Sequence, residues 1–369
     1  MSLNCGIVGL PNVGKSTIFQ ALTSAPAEAA NYPFCTIEPN VGVVAVPDAR
    51  LNQITKFIKP QKVIPTIVEF VDIAGLVKGA SKGEGLGNQF LGNIRQVGAI
   101  VHVVRCFEDE NIIHVDGNIN PIRDVDTIET ELALADLESV LKRKDKNEKL
   151  LKSSDKKAAD AAKILAPIYQ KLADTLNQGE AARSIGLSED EVKAIRDLHL
   201  ITLKPQVYCC NVNEDDLQGE NKFVQMVRDI ATKNDSEVVV ICGKLESEIA
   251  GLDTAEEKLE FLNDMGLEES GLDKLIRKGY ELLNLKTYFT AGEKEVRAWT
   301  FPEGSTAPEA AGVIHTDFEK GFIKAEVYHC TDLFELESEQ KIKETGKLRI
   351  EGKEYIVKDG DVVHFRFNV

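Results

Sequence analysis

The chain has 369 residues, of which 43% are hydrophobic and 28% charged, so it can bury two or three cores and is not a disordered or collagen-like polymer. No apolar run approaches the roughly 18–20 residues of a membrane helix. Residues 1–10 lack the basic start of a secretion signal, so a cytoplasmic location without membrane association is expected. The net charge of −16 excludes general affinity for nucleic acid and leaves only a locally basic segment as an RNA surface.

Residues 1–126 alternate short apolar runs with helical stretches, and the runs at 4–8, 41–46, 66–71 and 99–104 have the composition of buried strands. The pattern resumes at 206–211 and 237–242, with an amphipathic stretch at 221–232 between them. Strand–helix alternation of this kind predicts an α/β domain built on a mostly parallel sheet covered on both faces.

The first apolar run leads directly into Gly9-Leu-Pro-Asn-Val-Gly14-Lys15-Ser16, a match to G-x-x-x-x-G-K-[ST] followed by a helical stretch at 16–24. Glycines let the backbone curl so that successive N–H groups, here from Asn12 through Thr17, converge on phosphate oxygens. The helix that follows adds its positive N-terminal end. In such a loop Lys15 reaches the β- and γ-phosphates, and the Ser16 hydroxyl is placed to ligate Mg²⁺.

Asp72-Ile-Ala-Gly75 follows an apolar strand, where Asp72 would hold the Mg²⁺ side and the Gly75 N–H would meet the γ-phosphate. Thr36, flanked by Pro33 and Pro39, is the hydroxyl suited to a second Mg²⁺ contact from a switch loop. Glycines at 75, 79, 83, 85 and 87 give the next segment the backbone freedom of a loop ordered by the γ-phosphate.

Residues 127–198 read as nearly all helix. Ile128, Leu132 and Ala135 form one stripe, extended by Leu134, Leu137 and Leu141, and Ala162, Leu165, Ile168 and Leu172 form another. Two long helices joined by a polar tip would make an antiparallel coiled-coil hairpin inserted in the α/β domain. Eight Lys/Arg against three acids between Lys142 and Lys157 give that tip a local charge of +5, a feature of RNA-facing surfaces and of solvated helix faces alike.

After residue 285 the texture turns to short strands, expected at 296–301, 322–327, 355–357 and 362–367, with turns at 352–354 and 358–361. The expected organisation is therefore 1–126 with 199–284 as a discontinuous nucleotide domain, 127–198 as a helical insertion, and 285–369 as a small α+β domain. None of the seven cysteines forms a Cys-x-x-Cys pair, so reduced, buried thiols are expected and a zinc site is not. Cys35, beside Thr36, is the one thiol placed for oxidant sensing.

The phosphate loop, the Asp72–Gly75 motif and the run Gly79-Ala-Ser-Lys-Gly-Glu-Gly-Leu-Gly87 resemble the Obg branch of translation-factor GTPases. The inserted helices, the segments beginning at Tyr288 and Ala311, and Tyr355-Ile-Val-Lys-Asp-Gly-Asp-Val362 resemble the YchF, or Obg-like ATPase, subfamily along essentially the whole chain. The resemblance implies a C-terminal TGS domain of β-grasp fold, association with the ribosome or its RNA, and ATP as the substrate.

The residues agree on the base. Guanine-reading relatives carry Asn-Lys-x-Asp after the fifth strand, whereas this chain has Asn211-Val212-Asn213-Glu214. The packing lysine is missing and the carboxylate sits one methylene farther out, which forfeits most of the guanine preference that paired polar contacts create. Asn211 and the Val212 backbone are expected to frame adenine.

Where relatives place a water-orienting Gln after D-x-x-G, this chain has Leu76. Two groups are candidates for that work: His114 in the polar stretch 108–116, and Asn12, which could help bind K⁺ beside the phosphates. The reading is thus a slow, Mg²⁺-dependent ATPase switch on the ribosome, of open oligomeric state with a monomer favoured. A GTPase with a variant base pocket and a module that binds nucleotide without turnover are the alternatives.

Overall fold

The computed structural model describes residues 4–24, 40–73, 86–115 and 117–368. In chain order its elements begin with β1 (Asn4–Val8), α1 (Lys15–Ser24), β2 (Val41–Ala45), α2 (Ala49–Ile58), β3 (Lys62–Ile64), β4 (Ile67–Asp72), α3 (Leu86–Gln96) and β5 (Ala99–Arg105). Next come α4 (Pro121–Leu151), α5 (Lys156–Asn177), α6 (Glu189–Ala194), β6 (Gln206–Asn211), α7 (Lys222–Lys233), β7 (Glu237–Ile241), α8 (Gly243–Ala250), α9 (Ala255–Asp264) and α10 (Gly271–Leu282). The chain ends with β8 (Leu285–Ala291), β9 (Glu295–Pro302), α11 (Ala307–Ile314), α12 (Thr316–Lys320), β10 (Phe322–His329), α13 (Cys330–Leu336), α14 (Glu339–Glu344), β11 (Arg349–Glu351) and β12 (Asp361–Phe367).

Two compact units emerge, one made of residues 1–25, 38–42 and 70–275, the other of 26–37, 43–69 and 276–369. The first holds β1, β5, β6 and β7 of a sheet of order β2-β4-β1-β5-β6-β7, whose β2 and β4 are divided between the two units. The β1–β5, β5–β6 and β6–β7 pairs are all parallel. Every residue of β5 and β6 is buried, as expected of central strands with helices on both faces. On one face Val104, Tyr208 and Cys210 pack against Phe223, Val224 and Val227 of α7 and Leu245 and Ile249 of α8. Asn221 caps α7 by accepting from Phe223 N and Val224 N, which fixes where that helix starts.

Inside the same unit, α4 and α5 form the expected helix pair. Asn120 caps α4 with Pro121 at its start, and Asp155 caps α5. Ile168, Leu172 and Leu176 of α5 bury against Ala133 and Val140 of α4. Buried Asn147 donates from Nδ2 to Ala162 O at 2.9 Å and so sets the register near the tip. Leu134 and Leu141 were expected on the apolar side but are 41% and 43% exposed, because the buried stripe runs through Ile128, Leu132, Ala135 and Val140.

The second unit holds a sheet of order β11-β10-β12-β8-β9-β3. β10 runs antiparallel to β11 and β12, and β8 antiparallel to β9, while β12–β8 and β3–β9 are parallel. One face buries Tyr288, Phe301, Val327 and Phe365 against α11, and the other buries Phe289, Val296 and Tyr328 against Leu51 and Ile54 of α2. Arg50 at the start of α2 pairs with Asp48 at 2.8 Å and Asp359 at 2.6 Å. The strand expected at 355–357 is only a bridge between Ile356 and Thr306. Two bonds make that bridge, Ala307 N to Tyr355 O and Val357 N to Ser305 O, and pairing stops there because Lys358 N donates to the Asp361 carboxylate.

Among the described residues no helix is long and apolar enough to cross a membrane, and no cluster of His, Cys, Asp or Glu could hold a metal by itself. Six cysteines there are free and buried, while Cys35 lies outside the described residues.

Candidate nucleotide site

β1 carries the chain out of the sheet into the phosphate loop, which turns at Asn12 (φ 62°) and Gly14 (φ 97°). Both angles lie in the left-handed region, and at Gly14 a Cβ would sit 2.2 Å from Asn211 Nδ2, so only glycine fits. α1 starts at Lys15, with Ile18 N donating to Gly14 O at 3.0 Å, and buries Ile18, Ala21 and Leu22. That burial aims the helix N-terminus and the loop N–H groups into a cavity of about 1230 Å³.

One end of the cavity is lined by Asn12, Gly14, Lys15, Ser16 and Thr17. Lys15 is buried, and its Nζ lies 3.7 Å from Asp72 Oδ1 at the end of β4. That oxygen is itself buried and accepts no hydrogen bond from the described residues. A buried carboxylate oxygen without a donor costs about 1–3 kcal/mol, so the arrangement is suited to a cation or its water. The Asp72 carboxylate and the Ser16 hydroxyl would offer oxygen donors of the kind Mg²⁺ takes. Thr36, Gly75 and Leu76 lie outside the described residues.

The far end is lined by Asn211, Val212, Asn213, Glu214 and Asp215 after β6 and by Gly243, Lys244, Ser247 and Glu248 of α8. The buried Asn211 amide does not face a base. Its Nδ2 donates to Val13 O at 2.9 Å and its Oδ1 accepts from Gly243 N at 3.0 Å, so it ties the phosphate loop to the start of α8. The Val212 N–H donates to Ile241 O at 2.8 Å, continuing the sheet and leaving the carbonyl as the backbone group to meet a base. Lys244 Nζ is 2.8 Å from Glu214 Oε1.

The third wall is the loop after β5, with Phe107, Asp109 and Ile112 on the cavity. Arg105, the last residue of β5, is almost wholly buried and organises that loop. Its guanidinium donates to Phe107 O at 3.1 Å, Asp109 O at 3.2 Å and Ile112 O at 2.8 Å, and lies 4.7 Å from the Phe107 ring centroid. From the phosphate loop, Asn12 Nδ2 donates to Ile113 O at 3.1 Å.

His114 is the next residue, but its ring is buried and does not line the cavity. Its Nε2 is 2.8 Å from Asp124 Oδ2 in the first turn of α4, and Arg123 holds the other carboxylate oxygen at 3.1 Å. The histidine of the polar stretch 108–116 is therefore buried and paired with a carboxylate. Its sequence neighbours Ile113 and Val115 are the exposed ones.

Sequence reasoning missed Arg105, Asp124 and Lys244. Arg105 carried a usable signal, a charged residue ending an apolar strand. Asp124 and Lys244 carried none, since each partner is brought near only by the fold.

A family model described as 50S ribosome-binding GTPase matches residues 4–135, and a model of the C-terminal domain of YchF GTPases, described as a protein of unknown function, matches residues 285–368. The chain is 58% identical over 369 residues to the ribosome-binding ATPase YchF of Pasteurella multocida, with 100% of both chains covered. It is 55% identical over 371 residues to the ribosome-binding ATPase YchF of Bacillus subtilis, again with 100% of both covered. The solved structure of the Schizosaccharomyces pombe YchF GTPase is similar with a TM-score of 0.89 at 40% identity, covering 98% of this chain and 97% of that one. A P-loop cavity at one end of a parallel sheet, in a chain matched from end to end at this identity, leads to one conclusion: the chain belongs to the YchF family of P-loop nucleoside triphosphate hydrolases.

Proposed function

We propose that the chain is a slow ATPase of the Obg branch that hydrolyses ATP to ADP and phosphate and acts as a nucleotide switch on the ribosome, in translation or stress response, as a cytoplasmic monomer. One observation carries the choice of base. The cavity joins a complete phosphate loop to a far wall, Asn211-Val-Asn-Glu214, that lacks the lysine and aspartate of a guanine reader. The relatives' names divide on this point, ATPase for the bacterial chains and GTPase for the Schizosaccharomyces structure, so a GTPase with a variant pocket is the second reading.

The backbone N–H groups of Asn12 to Thr17 cradle the β- and γ-phosphates, and Lys15 offsets the charge that gathers on them as water attacks the γ-phosphorus and the bond to the β-phosphate oxygen breaks. Ser16 and Asp72, with Thr36, would hold Mg²⁺, which neutralises phosphate charge when bound. The Gly75 N–H meets the γ-phosphate. The Val212 carbonyl accepts from the adenine amino group, while Asn211 shapes the loop and Glu214 closes the far end.

The water-orienting role falls to His114. To reach the cavity it must leave Asp124, which makes catalysis conditional on a movement of the loop it shares with Ile112 and Ile113. Asn12 would help bind K⁺ beside the phosphates, and equal rates in K⁺ and Na⁺ buffers would remove that part.

Catalysis is assigned to residues 1–126 with 199–284. Ribosomal RNA contact is assigned to the basic tip of the 127–198 insertion and to the TGS domain at 285–369. Phosphate release from ATP, measured with and without ribosomes, tests the whole. Slow release stimulated by ribosomes is expected; no release in either condition reduces the protein to a binding module.

A further inference from the structure

From the pairing of Lys244 with Glu214 we infer that Lys244 determines base specificity, by occupying the carboxylate that would otherwise read guanine. The inference rests on assigning the cavity to a nucleoside triphosphate. β6 and β7 are parallel neighbours with Asn211 beside Ile241, so the segments that follow them, 212–215 and 243–248, form facing walls of the cavity's far end.

That end is acidic. Glu214, Asp215 and Glu248 line it, against Lys244 as its cation. The other lysine among the described lining residues, Lys15, belongs to the phosphate end. An unpaired carboxylate there would accept from the ring N–H and amino group of guanine, a two-donor edge. The same carboxylate would repel adenine, whose ring nitrogen at the matching position is an acceptor.

With Lys244 Nζ at 2.8 Å from Oε1, the acceptor is already satisfied and its charge is offset. Guanine would then have to displace an ammonium to be read, and adenine meets a neutralised pair. The Lys244 side chain is 71% exposed and that of Glu214 41%, so the pair adds little to folding. Its consequence is selectivity, expressed when a bound base excludes water and strengthens whatever charge remains unpaired.

The test is calorimetric titration of the full chain with ATP and with GTP in Mg²⁺ buffer, for the unaltered protein and for Lys244→Met, Lys244→Arg and Lys244→Met/Glu214→Gln. Lys244→Met is expected to shift the ratio of ATP to GTP affinity toward GTP by about tenfold. Lys244→Arg should keep the original ratio, since it restores the cation. The double variant should return most of the shift, because no unpaired carboxylate remains.

If Lys244→Met binds both nucleotides with the ratio unchanged within twofold, the inference is wrong while the nucleotide site stands. If the double variant shifts the ratio as far as Lys244→Met does, the carboxylate is not the agent and the inference is again overturned. Failure of the unaltered protein to bind either nucleotide would overturn the site reading and this inference together.

Discussion

Asn211→Ala removes a side chain that contacts no phosphate, yet it should weaken both the fold and the grip on ATP. The residue is buried and makes two bonds to backbone groups, to Val13 O at 2.9 Å and from Gly243 N at 3.0 Å. Truncation loses two hydrogen bonds at a net of about 0.5–1.5 kcal/mol each and leaves two backbone groups short of partners at about 1–3 kcal/mol each. These terms overlap, and a total of about 2–4 kcal/mol is expected, lessened by any water that enters. If about half of it is loop order that the nucleotide must restore, ATP affinity falls roughly 5–30-fold. Urea unfolding should be followed by far-UV circular dichroism, since the single tryptophan, Trp299, belongs to the other compact unit. Hydrogen exchange of a peptide spanning residues 9–18 should show faster exchange, and calorimetry gives the affinity. Asn213→Ala, at an exposed neighbour, serves as the control for stability alone, which should stay within about 0.5 kcal/mol. Unchanged stability and unchanged ATP affinity in Asn211→Ala would refute the role of the brace.

Glu246 in α8 is buried and accepts from Gly271 N at 2.7 Å through Oε1; burial pushes its carboxyl up to about 7. The folded value lies above the unfolded one, so this stabilisation is full below about pH 4.5 and is lost as pH rises through about 7, roughly 3 kcal/mol in all. Glu246→Gln should therefore gain stability relative to the unaltered chain between pH 5 and pH 8, and parallel stability–pH curves would contradict this. His114→Ala should lower turnover at least about tenfold with ATP affinity kept; unchanged turnover would remove His114 from the chemistry. Reversing charge at Lys142, Arg143, Lys144 and Lys146 should abolish salt-sensitive co-sedimentation with ribosomes, and intact co-sedimentation would show that the tip is not the contact.

The parallel sheet and the phosphate loop were legible because their signals are local. An apolar run such as residues 99–104 can hardly be anything but a buried strand, and Gly9 to Ser16 is a contiguous motif whose backbone conformation follows from its glycines. What stayed hidden depends on residues distant in sequence. Nothing in 49–64 reveals that α2 packs on the sheet of the C-terminal unit and β3 joins it, because the reasons are Arg50 meeting Asp359 and Lys62–Ile64 pairing with Glu295–Arg297. Helical periodicity located α4 but put Leu134 and Leu141 on the wrong side, since a long helix has several near-apolar stripes and only its partner selects one.

At the site the same division holds. Lys15 and Asp72 meet at 3.7 Å, whereas the burial of His114 was not legible because its partner Asp124 lies in the next helix. Asn211 was read as a base contact from its place in a motif, and the fold turned its amide instead onto Val13 and Gly243.

The central claim is that a phosphate loop here serves a base that is not guanine. Titration calorimetry of the purified full-length chain with ATP and GTP in Mg²⁺ buffer measures it directly. ATP should bind and should bind more tightly than GTP; tight GTP binding with no measurable heat from ATP would contradict the account.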